Sequence, residues 1–361
     1  MSDAASSRRT LITGGAGFIG SHLCEALLAR GDRVTVIDNL STGRASNLAE
    51  HPHLRFIEAD LREALESLGK GEVFDQIYHL AAAVGVSLVM KDPAGAIWTN
   101  VDQTMALLRF AASRTTPSAT TPGIPTLIAS SSEVYGKSAK SPYAESDDVL
   151  YGPTTVARWS YAYSKAIDEY LALNFREPRQ LPVVVARFFN TVGPRQVGDY
   201  GMVLPRFVRA ALAGQPLRVF GDGAQSRCFC HVADVVGALP RLLDTPPCHG
   251  QVFNLGSDRP ISIRELAELV VRITGSRSAI EFVPYSSAYP PGFEDLPDRR
   301  PSLDKVRRAI GFEARRTLEQ TIRDVASWLE GDAARGLPNQ GTSDRPMSMM
   351  RPVASTEEQG S

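Results

Sequence analysis

The stretch Thr10-Leu-Ile-Thr-Gly-Gly-Ala-Gly-Phe-Ile-Gly20 decides the fold of this 361-residue chain. A short apolar run enters a glycine-rich turn, and a segment with helical spacing of its apolar residues follows as far as Gly31. Arg33–Asp38 then has the pattern of a second strand, and it ends in an acid. Strand, turn, helix and strand together predict a βαβ unit that binds a dinucleotide.

Three glycines and one acid carry the chemistry of this unit. Gly14 allows the tight turn, Gly17 lets the backbone approach a pyrophosphate, and Gly20 lets the helix pack on the strand. Asp38 lies 18 residues beyond Gly20, where a carboxylate accepts hydrogen bonds from both adenosine ribose hydroxyls and repels a 2′-phosphate. The sequence therefore favours NAD over NADP as the cofactor.

Strand and helix patterns continue to alternate after this unit, which predicts a doubly wound parallel sheet with helices on both faces, an α/β fold of the Rossmann type. We expect an unstructured N-terminus over residues 1–9, an NAD-binding domain over 10–190, a smaller interleaved substrate lobe over 191–330 and a disordered tail over 331–361. The predicted elements are strands at Leu54–Asp60, Phe74–Ala81, Thr126–Ser130, Leu181–Phe188 and Leu217–Phe220, and helices at Asn100–Ser113, Tyr161–Phe175, Met202–Gly214, Ile263–Thr274 and Leu318–Glu330.

Composition excludes several classes of protein. The net charge of −1 argues against a nucleic-acid binder that works by bulk charge. No apolar run reaches the length of a membrane span, and the first ten residues lack the apolar core of a signal peptide. Four scattered cysteines indicate a reducing cytoplasm, and the segment Cys228–His231 predicts a strand rather than a metal site. The helical spacing around Trp98 is typical of a core residue.

Tyr161 and Lys165 form a second constellation. Their i, i+4 spacing places both side chains on one face of a predicted helix. An ammonium near a phenol favours the phenolate, so Lys165 is expected to lower the pKa of Tyr161 and make it a base near neutral pH. Tyr163 lies only two residues from Lys165 and points elsewhere. The pair follows a strand that ends at Ser130, and the carboxyl end of a strand is where a parallel sheet places its site.

The motifs TGGAGFIG, HLAAA, SSSEVYG, YxxxK and RFFNTVGPR occur in this order, and over roughly residues 8–330 the chain resembles the extended short-chain dehydrogenases/reductases of the nucleotide-sugar epimerase/dehydratase type. The resemblance implies that NAD stays bound while the tyrosine–lysine pair removes the proton of the sugar 4-hydroxyl. The resulting 4-keto sugar is then epimerised, dehydrated or decarboxylated. Relatives of this type pair two helices from each subunit, here those containing Asn100 and Tyr161, so a homodimer is expected.

The same resemblance assigns site residues. Ser131 and Tyr161 would contact the 4-oxygen, and Lys165 would support Tyr161 and bind the nicotinamide ribose. The implied catalytic residues are Ser131, Ser132, Glu133, Tyr161 and Lys165. The implied cofactor residues are Gly14, Gly17, Phe18, Ile19, Asp38, Asn39, Thr42, Gly43, Asp60, Leu61, Leu80, Ala81, Ala82, Asn100, Tyr161 and Lys165. The implied substrate residues are Asn190, Arg195, Val219, Phe220, Arg227 and Arg299, and no metal is expected.

Glu133 distinguishes between the reactions that can follow oxidation. The order Ser-Ser-Glu resembles that of UDP-glucuronate decarboxylases and GDP-mannose 4,6-dehydratases, and a carboxyl group beside C5 can move protons there. Three further segments resemble the decarboxylases, namely Arg158–Lys165, Gln225–Phe229 and Tyr289–Ser302. UDP-glucuronate is therefore the expected substrate. A ketone at C4 is β to the C6 carboxylate, so CO2 leaves readily and gives UDP-4-keto-pentose, UDP-xylose or both.

Two features leave alternatives open. Met202 stands where the decarboxylases carry an arginine, which raises the hypothesis that the 4-keto-pentose is released. Arg227 is expected to bind the diphosphate, and delivery of a proton is its second possible role. The alternative functions are a uronate or hexose 4-epimerase, a 4,6-dehydratase and a non-catalytic NAD(H) sensor. The presence of Ser131, Tyr161 and Lys165 argues against the sensor.

Overall fold

The computed structural model describes residues 7–69, 71–83, 92–114, 123–175, 181–197, 202–284 and 298–334. The described strands are β1 (Arg9–Thr13), β2 (Arg33–Asp38), β3 (Leu54–Glu58), β4 (Gln76–His79), β5 (Thr126–Ser131), β6 (Val183–Phe188), β7 (Thr191–Val192), β8 (Leu217–Phe220), β9 (Ser226–Cys228), β10 (Cys230–His231), β11 (Gln251–Leu255), β12 (Pro260–Ser262) and β13 (Ile280–Val283). The described helices are α1 (Phe18–Ala29), α2 (Leu61–Ser67), α3 (Pro93–Ala112), α4 (Ser160–Asn174), α5 (Val203–Leu212), α6 (Val232–Leu243), α7 (Ile263–Thr274), α8 (Asp304–Ile310) and α9 (Leu318–Ala334).

A seven-stranded parallel sheet runs in the order β11-β6-β5-β4-β1-β2-β3. The first strand has β2 on one side and β4 on the other, so the order of the strands reverses at β1. In open α/β sheets, the crevice at the carboxyl ends of the strands beside such a reversal is where ligands bind. The glycine turn that begins at Gly14 lies at this crevice.

Helices cover both faces of the sheet because side chains alternate along each strand. Ile12 belongs to an apolar cluster that includes Leu23 and Leu27 of α1 and Val235 and Leu239 of α6. Its neighbour Leu11 points the other way. It joins a second cluster that includes Leu61 of α2 and Leu107 and Leu108 of α3. The predicted doubly wound α/β fold is confirmed.

A third apolar cluster lies under α5, α7 and α9, beside the parallel pair formed by β8 and β13. Ser262 caps α7 and exchanges hydrogen bonds with Glu265, and Gly275 ends the helix in the left-handed conformation. Both signals lie in the sequence, and the predicted bounds Ile263–Thr274 agree with the structure. The division into domains at residue 190 stays a prediction, although β11 returns from the later part of the chain to the edge of the sheet.

The structure corrects several expectations. Arg9 begins β1, because strand pairing with β2 orders it, so the unstructured N-terminus cannot extend to residue 9. The last helix continues to Ala334, beyond the predicted start of the tail at 331. Trp98 is 72% exposed and is not a core residue. Within the described ranges, no helix is long and apolar enough to cross a membrane.

Candidate active site

The glycine turn has the shape that a pyrophosphate needs. Gly14 has a φ of +71°, and a Cβ there would lie 2.6 Å from the backbone nitrogen of Ala81. A Cβ on Gly20 would lie 2.2 Å from the Gly14 carbonyl oxygen. Helix α1 begins at Phe18 with no side-chain cap and no acid in its first turn. Its first N–H groups therefore suit an anion such as a dinucleotide phosphate.

The acid at the end of β2 is fixed in place. The Asp38 carboxylate is buried and accepts hydrogen bonds from the backbone nitrogens of Ala16 and Leu40, each at 2.9 Å. Burial raises its pKa, and the backbone hydrogen bonds act in the opposite direction. Next to it, the Asn39 side chain donates to Asp60 over 2.7 Å. These groups follow the carboxyl ends of β2 and β3, where the adenosine half of a dinucleotide is expected.

Asn100 connects the end of β4 with helix α4. Its Oδ1 accepts a hydrogen bond of 2.7 Å from the nitrogen of Ala83, and its Nδ2 donates over 3.0 Å to the Ser164 hydroxyl. Ser164 in turn donates to the carbonyl oxygen of Tyr161. Leu61, another predicted cofactor residue, is buried. The remaining predicted cofactor residues are half-buried near the same crevice, namely Phe18, Ile19, Thr42, Gly43, Leu80, Ala81 and Ala82.

The structure brings Ser131, Tyr161 and Lys165 together at the carboxyl end of β5. The Ser131 and Tyr161 side chains are hydrogen-bonded, and the buried Lys165 ammonium acts electrostatically on the phenol. Burial raises the pKa of Tyr161, whereas Lys165 and the Ser131 hydrogen bond lower it. Lys165 thus acts in the expected direction, while burial makes the net shift of the Tyr161 pKa upward. Lys165 reduces the cost of ionising the phenol at this buried position.

Glu133 lies among arginines, and we call this group the arginine cluster: Glu133, Arg158, Arg227 and Arg299. One carboxylate oxygen of Glu133 pairs with Arg299, and the other lies 3.5 Å from Arg158. Burial opposes ionisation of Glu133, but the charges of Arg299, Arg158 and Arg227 outweigh it and lower the pKa to about 2. The three guanidinium groups thus favour the ionised form of Glu133.

The arginine cluster lies directly beside Ser131. Three guanidinium groups act on the Glu133 carboxylate, and Ser131 accepts a hydrogen bond from the backbone nitrogen of Glu133. Guanidinium groups therefore lie beside the Ser131–Tyr161 pair, and groups of this type bind anionic ligands. Arg158 was not assigned to the site from the sequence, although it stands in the segment Arg158-Trp-Ser-Tyr161.

The other predicted substrate residues are in different surroundings. The Asn190 amide donates to the carbonyl oxygen of Cys228, beside the arginine cluster. Arg195 pairs with Glu25 of α1, away from that cluster. Val219 is fully buried in the third apolar cluster, so its side chain does not reach a ligand. Phe220 is half-buried, with a guanidinium 4.6 Å from its ring centre. The segment Tyr289–Asp295 lies outside the described residues.

A buried ion pair behind the site was missed from the sequence. Glu169 of α4 accepts two hydrogen bonds from Arg187 of β6, of 2.9 and 2.7 Å, and one of 2.5 Å from Ser130 of β5. The signals were an arginine at the end of an apolar strand and an acid one turn after Lys165. The pair fixes α4, and therefore Tyr161, against the two strands that end at the site.

A doubly wound sheet with a glycine turn at the reversal of strand order, and a Ser–Tyr–Lys group at the carboxyl end of β5, define a dinucleotide-dependent oxidoreductase site. The chain belongs to the NAD dependent epimerase/dehydratase family, whose model matches residues 10–256. Its cofactor is accordingly NAD. The uncapped start of α1 and the Asp38 carboxylate fit that cofactor.

Similar proteins include several decarboxylases. The chain is 39% identical over 327 residues to a UDP-N-acetyl-alpha-D-glucosaminuronate decarboxylase from Bacillus cytotoxicus, with 89% of this chain and 98% of that protein covered. It is 35% identical over 347 residues to UDP-glucuronic acid decarboxylase 2 from Arabidopsis thaliana, with 94% and 73% covered. Its fold is similar to that of an epimerase from Methanothermobacter thermautotrophicus, with a TM-score of 0.81, 27% identity and 92% and 95% of the two chains covered.

Proposed function

We propose that this protein is a UDP-glucuronate decarboxylase that uses tightly bound NAD. The observation that carries the proposal is the arginine cluster beside Ser131 and Tyr161, since UDP-glucuronate is charged at both its diphosphate and its C6 carboxylate. The names of the two decarboxylase relatives support the same reaction.

Each part of the site has a role in this reaction. Tyr161 removes the proton of the 4-hydroxyl, Ser131 hydrogen-bonds the 4-oxygen, and Lys165 stabilises the phenolate. NAD bound beside these residues would supply the acceptor for the C4 hydride and the hydride donor for the final reduction. The residues proposed to hold the cofactor are Gly14, Gly17, Phe18, Ile19, Asp38, Asn39, Thr42, Gly43, Asp60, Leu61, Leu80, Ala81, Ala82, Asn100 and Lys165.

Oxidation at C4 makes loss of CO2 feasible. The ketone is β to the C6 carboxylate, so the electrons of the breaking C5–C6 bond flow into an enolate whose oxygen Ser131 and Tyr161 face. Protonation at C5 gives UDP-4-keto-pentose, and return of the hydride to C4 gives UDP-xylose. Formation of UDP-xylose returns the hydride and needs no external reductant, whereas release of UDP-4-keto-pentose leaves NADH behind and requires a fresh NAD for the next turnover. Met202 at the start of α5 motivates a measurement of how much 4-keto-pentose is released.

The arginines are proposed to bind different parts of the anionic substrate. Arg227 and Arg299 bind the diphosphate through paired N–H groups, which planar guanidinium groups direct well. Glu133 stays ionised and fixes the orientation of Arg299 and Arg158. The carboxylate thus acts as a fixed counter-charge, and protonation of C5 needs another donor.

A second candidate substrate is UDP-N-acetylglucosaminuronate. The relative from Bacillus cytotoxicus is more identical to this chain than the plant protein, and the match spans 98% of its length. The two sugars differ at C2, whereas the proposed chemistry takes place at C4, C5 and C6. The same catalytic residues would serve either substrate.

One experiment tests both candidates. The purified protein is incubated with each nucleotide separately, and the products are read by mass spectrometry. Loss of CO2 from UDP-glucuronate is the expected result. Loss of CO2 only from the N-acetylated nucleotide would replace the first substrate with the second. An isomer of unchanged mass would indicate a 4-epimerase. UDP-glucose is incubated as a third substrate, because a 4,6-dehydratase needs a 6-hydroxyl group to expel as water. Bound NAD without turnover of any of the three would indicate a sensor.

We also propose that two copies pair through α3 and α4. These helices pack on each other. The exposed fractions of three of their apolar side chains are 72% for Trp98, 74% for Tyr170 and 41% for Ile167. Such side chains are common at the centres of interfaces. Sedimentation should show a dimer, and Tyr170→Glu should shift it toward the monomer. The described cysteines are all unpaired, which suits the cytoplasm as the proposed location.

A further inference from the structure

Lys165 has a second partner that the proposed reaction does not use. Its ammonium donates a hydrogen bond of 2.9 Å to Oδ2 of Asp168, one turn further along α4. The exposed fractions of the two side chains are 3% and 0%. A carboxylate is costly to bury and is found in such places only with a partner. Its presence beside the catalytic lysine therefore calls for a role.

Buried polar groups continue beyond Asp168 toward the cofactor turn. Thr104 of α3 faces the carboxylate and lowers its pKa, whereas Oδ1 of Asp168 has no hydrogen-bond partner within the described residues. The Thr104 hydroxyl lies 3.3 Å from Nε2 of His79, and Nδ1 of His79 lies 2.7 Å from the hydroxyl of Thr13. Thr13 is the last residue of β1, directly before the glycine turn. A series of buried polar groups thus runs from the cofactor turn toward the Lys165–Asp168 pair, in which Lys165 holds Asp168 through Oδ2.

We propose that Asp168 is a positioning residue that shares the Lys165 ammonium with Tyr161 and so sets the pH at which Tyr161 becomes a base. The proposal rests on the assignment of Tyr161 as the base in the proposed function. Asp168 touches neither substrate nor cofactor in this role. It acts through the lysine, which it keeps charged, and through its own negative charge near the phenol.

The signs of these effects follow from the surroundings. The charged and polar groups that face Asp168 are Lys165, Tyr161 and Glu169 on α4, Thr104 on α3 and His79 on β4. Burial lowers the pKa of His79 to about 3, so this ring is neutral and adds no positive charge. Burial lowers the pKa of Lys165, but Asp168 and Tyr161 outweigh it, and the net shift is upward.

The negative charge of Asp168 therefore has two opposing consequences for Tyr161. It raises the pKa of the phenol directly, and it preserves the ammonium that lowers this pKa. Removing the charge while keeping the hydrogen-bond acceptor abolishes the direct repulsion of the phenolate, and the phenolate itself still favours the Lys165 ammonium. We expect the phenol to ionise at lower pH as a result.

Asp168→Asn is the matching variant, because its amide oxygen still accepts from Lys165. Ionisation of Tyr161 is followed by ultraviolet difference titration of the NAD-loaded protein against the same protein with Tyr161→Phe, which isolates one phenol among ten tyrosines. The midpoint is expected to fall by about one pH unit in Asp168→Asn. Asp102→Asn, which removes a carboxylate from a surface pair with Arg62 on the same face of the fold, should leave the midpoint unchanged.

An unchanged or higher midpoint in a folded, NAD-loaded Asp168→Asn protein would overturn the proposal. If this variant does not fold, Asp168→Ser removes the same charge and must lower the midpoint in the same way. The kinetic counterpart is the rate of NAD reduction on mixing with UDP-glucuronate, which should rise about tenfold at pH values below the wild-type midpoint. A shifted midpoint without any NAD reduction in the wild type would leave this inference standing and reject the proposed function.

Discussion

The cofactor turn and the arginine cluster lie at the same crevice, but they are built in opposite ways. The turn consists of backbone atoms within one short segment, from Gly14 to Gly20, and its requirements are steric. The cluster consists of side chains from four distant points of the chain, and its requirements are electrostatic. A site defined by steric requirements can therefore be predicted from a short stretch of sequence. A site defined by electrostatics depends on how the folded chain brings distant charges together.

Tyr161→Phe should have the largest effect, because it removes the group that joins the two regions. Turnover is expected to fall by about 1,000-fold or more, since general bases contribute roughly 100- to 10,000-fold. Bound NAD, measured by absorbance after denaturation, should stay near the wild-type amount. The matched control is Tyr163→Phe, whose hydroxyl faces the carbonyl of Gly152 instead. Near-normal turnover of Tyr161→Phe would reject this tyrosine as the base.

Gly14→Ala should damage the cofactor side while the arginine cluster stays intact. The new methyl group would lie within 2.8 Å of three backbone atoms of Leu80 and Ala81, at a positive φ. Strain of about 1–3 kcal/mol is expected from the backbone conformation alone, so NAD affinity should fall by at least about tenfold. Calorimetric titration with NAD checks this. Gly31→Ala is the control, since φ is also positive there but a Cβ meets no neighbouring atom; equal losses in both variants would contradict the steric explanation.

The sequence predicted the two regions to different depths for this physical reason. The positions of Gly14, Asp38, Tyr161 and Lys165 beside the crevice follow from local sequence, because turn, strand end and helix spacing are local properties; their roles stay predictions. Ser131, Tyr161 and Lys165 were also expected to act together. The pairing of Glu133 with Arg158 and Arg299 could not be predicted, because it depends on where β5, the segment before α4 and the residues around 299 lie in space.

Burial was the other quantity that local patterns did not supply. Val219 was expected at the ligand, yet the packing of α5 and α7 on β8 encloses it. Trp98 was expected in the core and is exposed on α3. Helix α6 and strand β11 were not predicted, although both contribute to the main apolar core. Tertiary packing decides such positions, and a periodic pattern shows only that some apolar face exists.

Glu133→Gln tests the electrostatic character of the arginine cluster through the pH dependence of the unfolding free energy. The pKa of Glu133 is about 2 in the folded protein, below the value of about 4.3 expected in the unfolded chain. The ionised carboxylate therefore stabilises the fold above about pH 5, and this contribution is lost as the pH falls toward 2. The difference corresponds to about 3 kcal/mol at pH 7. Urea unfolding should show that the difference in unfolding free energy between the wild type and Glu133→Gln becomes smaller between pH 6 and pH 3.

A difference that stays constant over this pH range would show that the Glu133→Gln substitution harms packing instead of charge balance. Glu281→Gln provides the control, because its pair with Arg218 is exposed, and surface pairs contribute little. The same Glu133→Gln protein should retain NAD, since no atom of the glycine turn depends on the arginine cluster. Loss of both properties together would mean that the two regions are coupled more closely than their separate construction implies.

Val219→Ala should have the smallest effect, and it separates core packing from substrate binding. The side chain is fully buried beside Leu217 and Leu266, so its truncation should cost about 1–2 kcal/mol of unfolding free energy. KM for UDP-glucuronate should stay within about twofold, because the lost methyl groups do not face the crevice. Phe220→Leu is the neighbouring comparison, as its half-buried ring is the one on β8 that a nucleotide base could contact. A large rise in KM for Val219→Ala, with unchanged stability, would restore Val219 to the substrate site and place the nucleotide on the opposite face of β8.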